Sequence, residues 1–323
     1  TEVRGIGRSF GLNRNERLEA YMTPEELVHF FAAAVAGGGG MILNVGPGAD
    51  GQIPLLQQER LLQLGEWLAV NGEAIYGSHP WLKTGERRQV ELERIDPAID
   101  FYWNRNGPGS PIREDDFTAE WSGYLEAPAT GDYTFSASTD DDDGVRVWVD
   151  GQLVVDKRPD IGASATGAGT VIPTVRLVAG TRVPIRVEYR ERKVMAFVRL
   201  EWSGPGLETG VIPRSQLFSS VDLARGDGLA ATFRSQQQYL AYTQKEGNLY
   251  AITFEWPDGE LKLPIAEPPP GTRVSLLGRE GELPWLYQDG QVLIDLSGIP
   301  PSAIPGRWAW TFRLEGYAGA AGD

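Results

Sequence analysis

The chain has 323 residues, with 44 acidic against 30 basic side chains, a net charge of −14 and no cysteine. That balance excludes a nucleic-acid surface, which needs clustered Lys and Arg against phosphate, and the missing thiols exclude disulfides and thiolate metal sites. A hydrophobic fraction of 41% with 40 Gly and 22 Pro describes turn-rich, well-cored domains, and no apolar run reaches the ~20 residues of a membrane-spanning helix.

The first 85 residues read as α/β. Thr23-Pro24-Glu25-Glu26 predicts a helix start, with Thr as cap, Pro at the first helical position and Glu26 placed to complete a capping box. Leu27, Val28, Phe30, Phe31 and Val35 follow at helical spacing, and Gly37 to Gly40 stop the helix. Met41-Ile42-Leu43-Asn44-Val45 is an unbroken apolar run, as expected of a parallel strand buried on both faces. Gly46-Pro47 and Asp50-Gly51 form the loop beyond it, and Leu55, Leu56, Leu61, Leu62, Leu64, Trp67 and Leu68 mark a second helix. Helix, buried strand, loop and helix is the rhythm of a (β/α)-barrel.

From about Ile95 the period changes to two. Thr134 to Ala137, Val145 to Val149 and Val183 to Tyr189 alternate as strands, and Asp150-Gly151 between two of them is a hairpin turn. A third segment repeats this pattern over Leu249 to Trp256, Val274 to Leu277, Val292 to Leu296 and Ala309 to Leu314. Pro268-Pro269-Pro270 is expected as a stiff loop, and Ala318 to Asp323 as a tail.

The opening residues carry a resemblance. Glu2-Val3-Arg4-Gly5-Ile6-Gly7, then Ser9-Phe10-Gly11-Leu12-Asn13-Arg14-Asn15-Glu16, resemble the late barrel segment of glycoside hydrolase family 29, the α-L-fucosidases. Leu43-Asn44-Val45-Gly46-Pro47 with Asp50-Gly51 and Ile53-Pro54, and Gly65-Glu66-Trp67-Leu68 through Pro80-Trp81, continue the match. Thr1 stands where that family has Trp, Leu12 where it has Tyr, and Gly40-Met41 where it usually has Asn-Leu. Phe117 to Gly123, Gly131-Asp132-Tyr133-Thr134-Phe135, Gly144 to Gly151 and Glu201-Trp202-Ser203-Gly204-Pro205-Gly206 resemble the protective-antigen domain, a β-sandwich found on sugar-active enzymes and adhesins. Tyr242-Thr243-Gln244-Lys245, Leu249 to Ile252, Trp256-Pro257 and Leu276-Leu277-Gly278 look like the C-terminal β-sandwich of family 29.

These resemblances imply a multidomain α/β plus β protein: a C-terminal barrel fragment over 1–85, a protective-antigen-type sandwich over 92–219 that binds carbohydrate, and a fucosidase C-terminal sandwich over 229–318. They imply a retaining exo-α-L-fucosidase acting on fucosylated glycans, with no cofactor required for catalysis, and a periplasmic or secreted bacterial location. The alternative is a non-catalytic carbohydrate-binding or adhesion protein, since fold does not fix function. The chain opens at Thr1 without Met and already inside a motif, so an upstream segment is expected to hold the nucleophile, and the fragment is expected to be inactive alone.

A retaining glycosidase needs two carboxyl groups about 5 to 5.5 Å apart, a nucleophile and an acid that later serves as base. Glu2 is the local carboxylate with a claim to the acid/base role; a structural carboxylate holding Arg4 or a loop is the other reading. The resemblance places Phe10 as the apolar wall against the C5 methyl of fucose, where a hydroxymethyl group would lose its water without a partner. A barrel-core Phe is the alternative. Asn44 is read as a strand-end residue of the site or a loop-bonding amide, and His29 as a packing or surface residue. The run Asp140-Asp141-Asp142-Asp143 expands the Asp-Asp-Gly at which some relatives bind calcium; it reads either as a calcium site in the 92–219 domain or as a solvated hairpin loop.

Overall fold

Thr23 caps the first helix as its sequence predicts. Its hydroxyl accepts from the Glu26 amide at 3.1 Å, while the Glu26 carboxylate accepts from the Thr23 amide at 2.8 Å, with Pro24 at the first helical position. The computed structural model describes residues 1–104, 107–157, 170–171, 174–192 and 195–317. The expected tail from Ala318 lies outside the described residues.

The chain begins with β1 (Glu2–Gly5), α1 (Pro24–Ala36), β2 (Met41–Asn44) and α2 (Leu55–Asn71). Strands β3 (His79–Asp96), β4 (Asp100–Asn104), β5 (Phe117–Glu126), β6 (Gly131–Thr139), β7 (Gly144–Val149) and β8 (Gln152–Lys157) follow. Then come β9 (Thr170–Val171), β10 (Val175–Leu177), β11 (Arg182–Arg190), β12 (Ala196–Gly204), β13 (Leu207–Val211) and β14 (Leu217–Phe218). The last group is β15 (Leu229–Lys245), β16 (Asn248–Thr253), β17 (Glu260–Leu263), β18 (Val274–Leu276), β19 (Trp285–Gln288), β20 (Gln291–Asp295) and β21 (Trp310–Leu314). A short α/β start thus precedes β-rich sheets. They form two units, residues 1–87 with 238–323, and residues 88–237, and the boundaries fall inside β3 and β15.

In the first unit, β18, β21, β16 and the second half of β15 form an antiparallel sheet, and β17, β20 and β19 form another. Tyr242, Leu249, Ala251 and Phe312 share a core with Leu261, Leu263, Val292 and Ile294. On the opposite face, Val28, Ala32 and Ala36 of α1 and Trp67 of α2 bury against Ala241, Tyr250, Ile252 and Phe254. The alternation of each strand therefore serves two cores, one per sheet face. His29 is a packing residue: its ring stacks on Phe254 at 4.4 Å and its Nε2 donates to the Trp308 carbonyl at 2.7 Å. Glu73 accepts from the Tyr250 hydroxyl at 2.8 Å and from Arg313 at 3.0 Å, fixing the end of α2 to the same sheet.

Two expectations are corrected. Strand β2 is not buried on both faces: Ile42 is 56% exposed, and among the described residues β2 pairs with β1 alone. The two-residue period begins at His79, well before Ile95. From Glu86 to Arg94 only Val90 and Leu92 mark it, set among polar residues with partners such as Arg234, 2.8 Å from Glu91.

The second unit is a sandwich. Strands β5, β11, β7, β8 and β9 form one sheet, with β14 and the first half of β15 also on β5. Strands β10, β6, β12 and β13, with β4 also on β12, form the other. Trp121, Val147, Val187 and Phe233 from the first sheet meet Tyr133, Val198, Leu200 and Trp202 from the second. Asp150 and Gly151 turn the β7–β8 hairpin with φ of 50° and 73°, the doubly left-handed turn that Asp-Gly favours.

Candidate functional site

Strands β1 and β2 run parallel in the register Glu2 with Met41 through Gly5 with Asn44. Parallel α/β sheets present functional groups beyond the carboxyl ends of their strands. Phe10 lies beyond the carboxyl end of β1, and Asn44 ends β2. The Asn44 side-chain amide donates to the Phe10 carbonyl, so Asn44 is a loop-bonding residue. The Phe10 ring is 64% exposed. Its main chain is held while its ring faces outward.

A polar network knits the two strand-end loops together. Glu16 accepts from the Ser9 amide at 2.7 Å and contacts the Tyr21 hydroxyl, which also reaches Gln57. Buried Gln57 accepts in turn from the Gly46 amide at 2.9 Å. Burial, with Glu16 adding to it, pushes the Tyr21 hydroxyl above its usual pKa, so it acts as a neutral donor. Gly46 lets the Gly11–Leu12 backbone of the first loop pass close by, since a Cβ there would lie 2.5 Å from the Leu12 amide nitrogen. Sequence reasoning missed Glu16, Tyr21 and Gln57 as a set, and their only signal is that Glu16 falls inside the opening motif.

The structure does not bring Glu2 and Phe10 together. Glu2 is exposed at the amino end of β1, where its amide donates to the Gly40 carbonyl at 2.8 Å.

In the second unit, Asp140 to Asp143 form the turn between β6 and β7. Asp143 is fully buried and spends both carboxylate oxygens inside, accepting from the Tyr189 hydroxyl at 2.5 Å and the Arg192 amide at 3.1 Å. Burial outweighs those donors and, with Asp142 and Asp140 nearby, pushes its pKa to about 6. Lys157 supplies a cation at the same turn, donating to the Thr139 and Asp140 carbonyls at 2.9 and 3.1 Å. Among the described residues no group of three or more His, Cys, Asp or Glu side chains is arranged to hold a metal ion. Glu191, equally buried, accepts from the Asp116 amide at 2.6 Å, while its second oxygen has no hydrogen-bond partner among the described residues. Burial, reinforced by Asp115 and Asp143, raises Glu191 to about 7.

Comparison with known proteins assigns these parts. Residues 1–73 match the Alpha-L-fucosidase family, residues 73–215 the PA14 domain, and residues 234–315 the Alpha-L-fucosidase C-terminal domain. The chain thus carries an alpha-L-fucosidase catalytic-domain tail and an alpha-L-fucosidase C-terminal domain, with a PA14 domain between them. The plasma alpha-L-fucosidase of Homo sapiens is 47% identical over 106 residues, 31% of this chain and 23% of that protein. That of Rattus norvegicus is 48% identical over 73 residues, 23% of this chain and 16% of that protein. Anti-sigma-I factor RsgI3 of Acetivibrio thermocellus is 35% identical over 183 residues, 54% of this chain and 27% of that protein. The chain thus spans about a quarter or less of the curated fucosidases it matches. Among solved structures, an alpha-fucosidase of Thermotoga maritima superposes over 97% of this chain and 38% of its own, with 18% identity and a TM-score of 0.45. The assignment rests on the sequence matches. The Phe10 loop belongs to the fucosidase segment, and the buried acids belong to the PA14 domain.

Proposed function

We propose that this chain is the C-terminal part of a retaining exo-α-L-fucosidase that releases terminal fucose from glycans, with the PA14 domain as a glycan-binding module. The nucleophile is assigned to barrel sequence outside residues 1–323, and the acid/base with it, since Glu2 lies at the amino end of β1. Phe10 is the wall for the fucose methyl group. The observation that carries this reading is the Phe10 loop itself: an apolar residue, 64% exposed beyond the carboxyl ends of two parallel strands and held by a polar network that includes buried Gln57. Val3, Leu18, Ile42, Leu55 and Leu62 of the same segment are also more than half exposed, an apolar surface suited to the rest of a barrel.

A mechanism-based fucosyl inhibitor tests it on the protein with its barrel in place. A label on an Asp outside residues 1–323, with retained configuration in the product, supports the reading; a label within these residues or inversion at the anomeric carbon removes it. A second reading, a glycan-binding protein without catalysis, draws on the PA14 match over residues 73–215. It requires that no label forms at all.

A further inference from the structure

The outer face of the first PA14 sheet carries an open groove of about 670 Å³, remote from the Asp140 to Asp143 turn in the strand register. Its floor follows from sheet geometry. Ser122, Arg186 and Trp148 stand in one row across β5, β11 and β7, and Tyr124 pairs with Pro184 in the next outward row. Inward neighbours Trp121, Leu125, Val187 and Val149 fill the core, so the row must face out. Small Ser122 leaves the floor low between the aromatic side chains of Tyr124 and Trp148, and Ser219 stands at the rim with its hydroxyl donating to Asp227 at 2.6 Å.

Charge separates this groove from the rest of the molecule. In a chain of net charge −14, Arg186 is the one charged residue lining it, among the described residues. The acids Glu120 and Glu188 belong to the neighbouring row, opposite Arg146, one outward step along the strands. Arg186 is held in place twice: its guanidinium lies 4.1 Å from the centre of the Trp148 ring, and it forms an ion pair with Glu188 at 3.0 Å. Arg146 lies 5.1 Å from the same ring and also pairs with Glu188. The guanidinium has five donors in a planar fork, so one carboxylate contact leaves its capacity for a second oxyanion largely unspent.

We propose that this groove binds an anionic sugar unit of a glycan chain, with Arg186 receiving the sulfate or carboxylate and Tyr124 and Trp148 flanking the ring. The volume lies within the range of small-ligand sites, and the mix of aromatic walls, hydroxyls and one oriented cation suits a charged pyranose. The proposal rests on the reading that the PA14 domain attaches the protein to glycans, and it names the place and the chemistry.

Calorimetric titration of the whole chain tests it with three probes: a sulfated fucose tetrasaccharide, the same tetrasaccharide without sulfate, and a tetragalacturonate. At least one anionic probe is expected to bind about tenfold or more tightly than the neutral one, with affinity falling as salt rises from about 0.05 M to about 0.5 M. The two anionic probes distinguish sulfate from carboxylate as the recognised group. Arg186→Gln should abolish the preference. Ser122→Phe, which adds bulk on an exposed floor and leaves the core alone, should block binding with the melting temperature kept. Asp141→Asn with Asp142→Asn, and calcium chelation, should change nothing. Equal binding of the neutral probe that survives Arg186→Gln, or binding that needs calcium and the Asp run, overturns the groove and leaves glycan attachment standing. No binding of any probe by the folded chain overturns both.

Discussion

The indole Nε1–H of Trp67 donates to the main-chain carbonyl of Ala309 across 2.9 Å, joining α2 of the fucosidase segment to a loop 242 residues later. The residue before that carbonyl, Trp308, is held at φ 73° and gives its own carbonyl to His29. A left-handed non-glycine backbone persists only where its surroundings fix it, and here two helix side chains do so. Trp67→Ala is therefore expected to destabilise the first unit by about 3 to 5 kcal/mol, and Trp67→Phe by about 1 to 2. Urea unfolding with hydrogen exchange checks this: β16 and β21 should lose protection together with α1 and α2. Loss confined to the helices would contradict a shared core.

His29 makes the first unit sensitive to acid. Burial holds the imidazole below its ordinary value of 6.5, against the raising influence of the Trp308 carbonyl and nearby Glu25, Glu255 and Glu26. Below pH 6.5 the unfolded chain takes up a proton that the folded unit refuses, so stability falls as pH drops through that window. His29→Phe, which keeps the stack on Phe254, should flatten this part of the melting-temperature profile. An unchanged slope would remove His29 as its source.

Glu191 acts with the opposite sign in the PA14 domain. Its folded value is raised from 4.5 to about 7, chiefly by burial, so between those values the folded domain binds a proton that the unfolded chain has released. Stability contributed by the protonated form is present at low pH and lost as pH rises through about 7. Glu191→Gln should therefore melt higher than the parent at pH 8 and close to it at pH 5. A lower melting temperature at pH 8 would show that the carboxylate is needed in its charged form.

How much of this was legible in the sequence depended on the range of the interaction. The Thr23 capping box and the Asp150-Gly151 turn are local, and the residues alone predict both. The start of β3 was not legible, because its apolar alternation is confined to Val90 and Leu92 among charged residues, whose partners such as Arg234 lie far away in the chain. His29 reads as a packing or surface residue, and the choice between them needs Phe254 and Trp308, far away in the chain. The Asp140 to Asp143 run reads as one cluster; folding splits it, because Asp143 turns inward to Tyr189. Phe10 is proposed on the resemblance, while the Glu16–Tyr21–Gln57 network exists only in three dimensions.

Phe10 gives the sharpest mutational test of the site. In the protein with its barrel, Phe10→Ala should weaken transition-state binding by about 1 to 3 kcal/mol, read from kcat/KM, and fucose should lose its advantage over galactose. Because the ring is 64% exposed, thermal stability should change little. Unchanged sugar discrimination with a clear drop in melting temperature would return Phe10 to a packing role.

The most direct measurement is the hydrolysis of an aryl α-L-fucoside by two purified proteins: residues 1–323 alone, and the same residues in frame with whatever their gene encodes before Thr1. If catalysis depends on a nucleophile held outside this chain, the first shows no turnover above the blank, and the second releases fucose with α-configuration as its first product. Turnover by residues 1–323 alone, or none by the longer protein when folded, would contradict it.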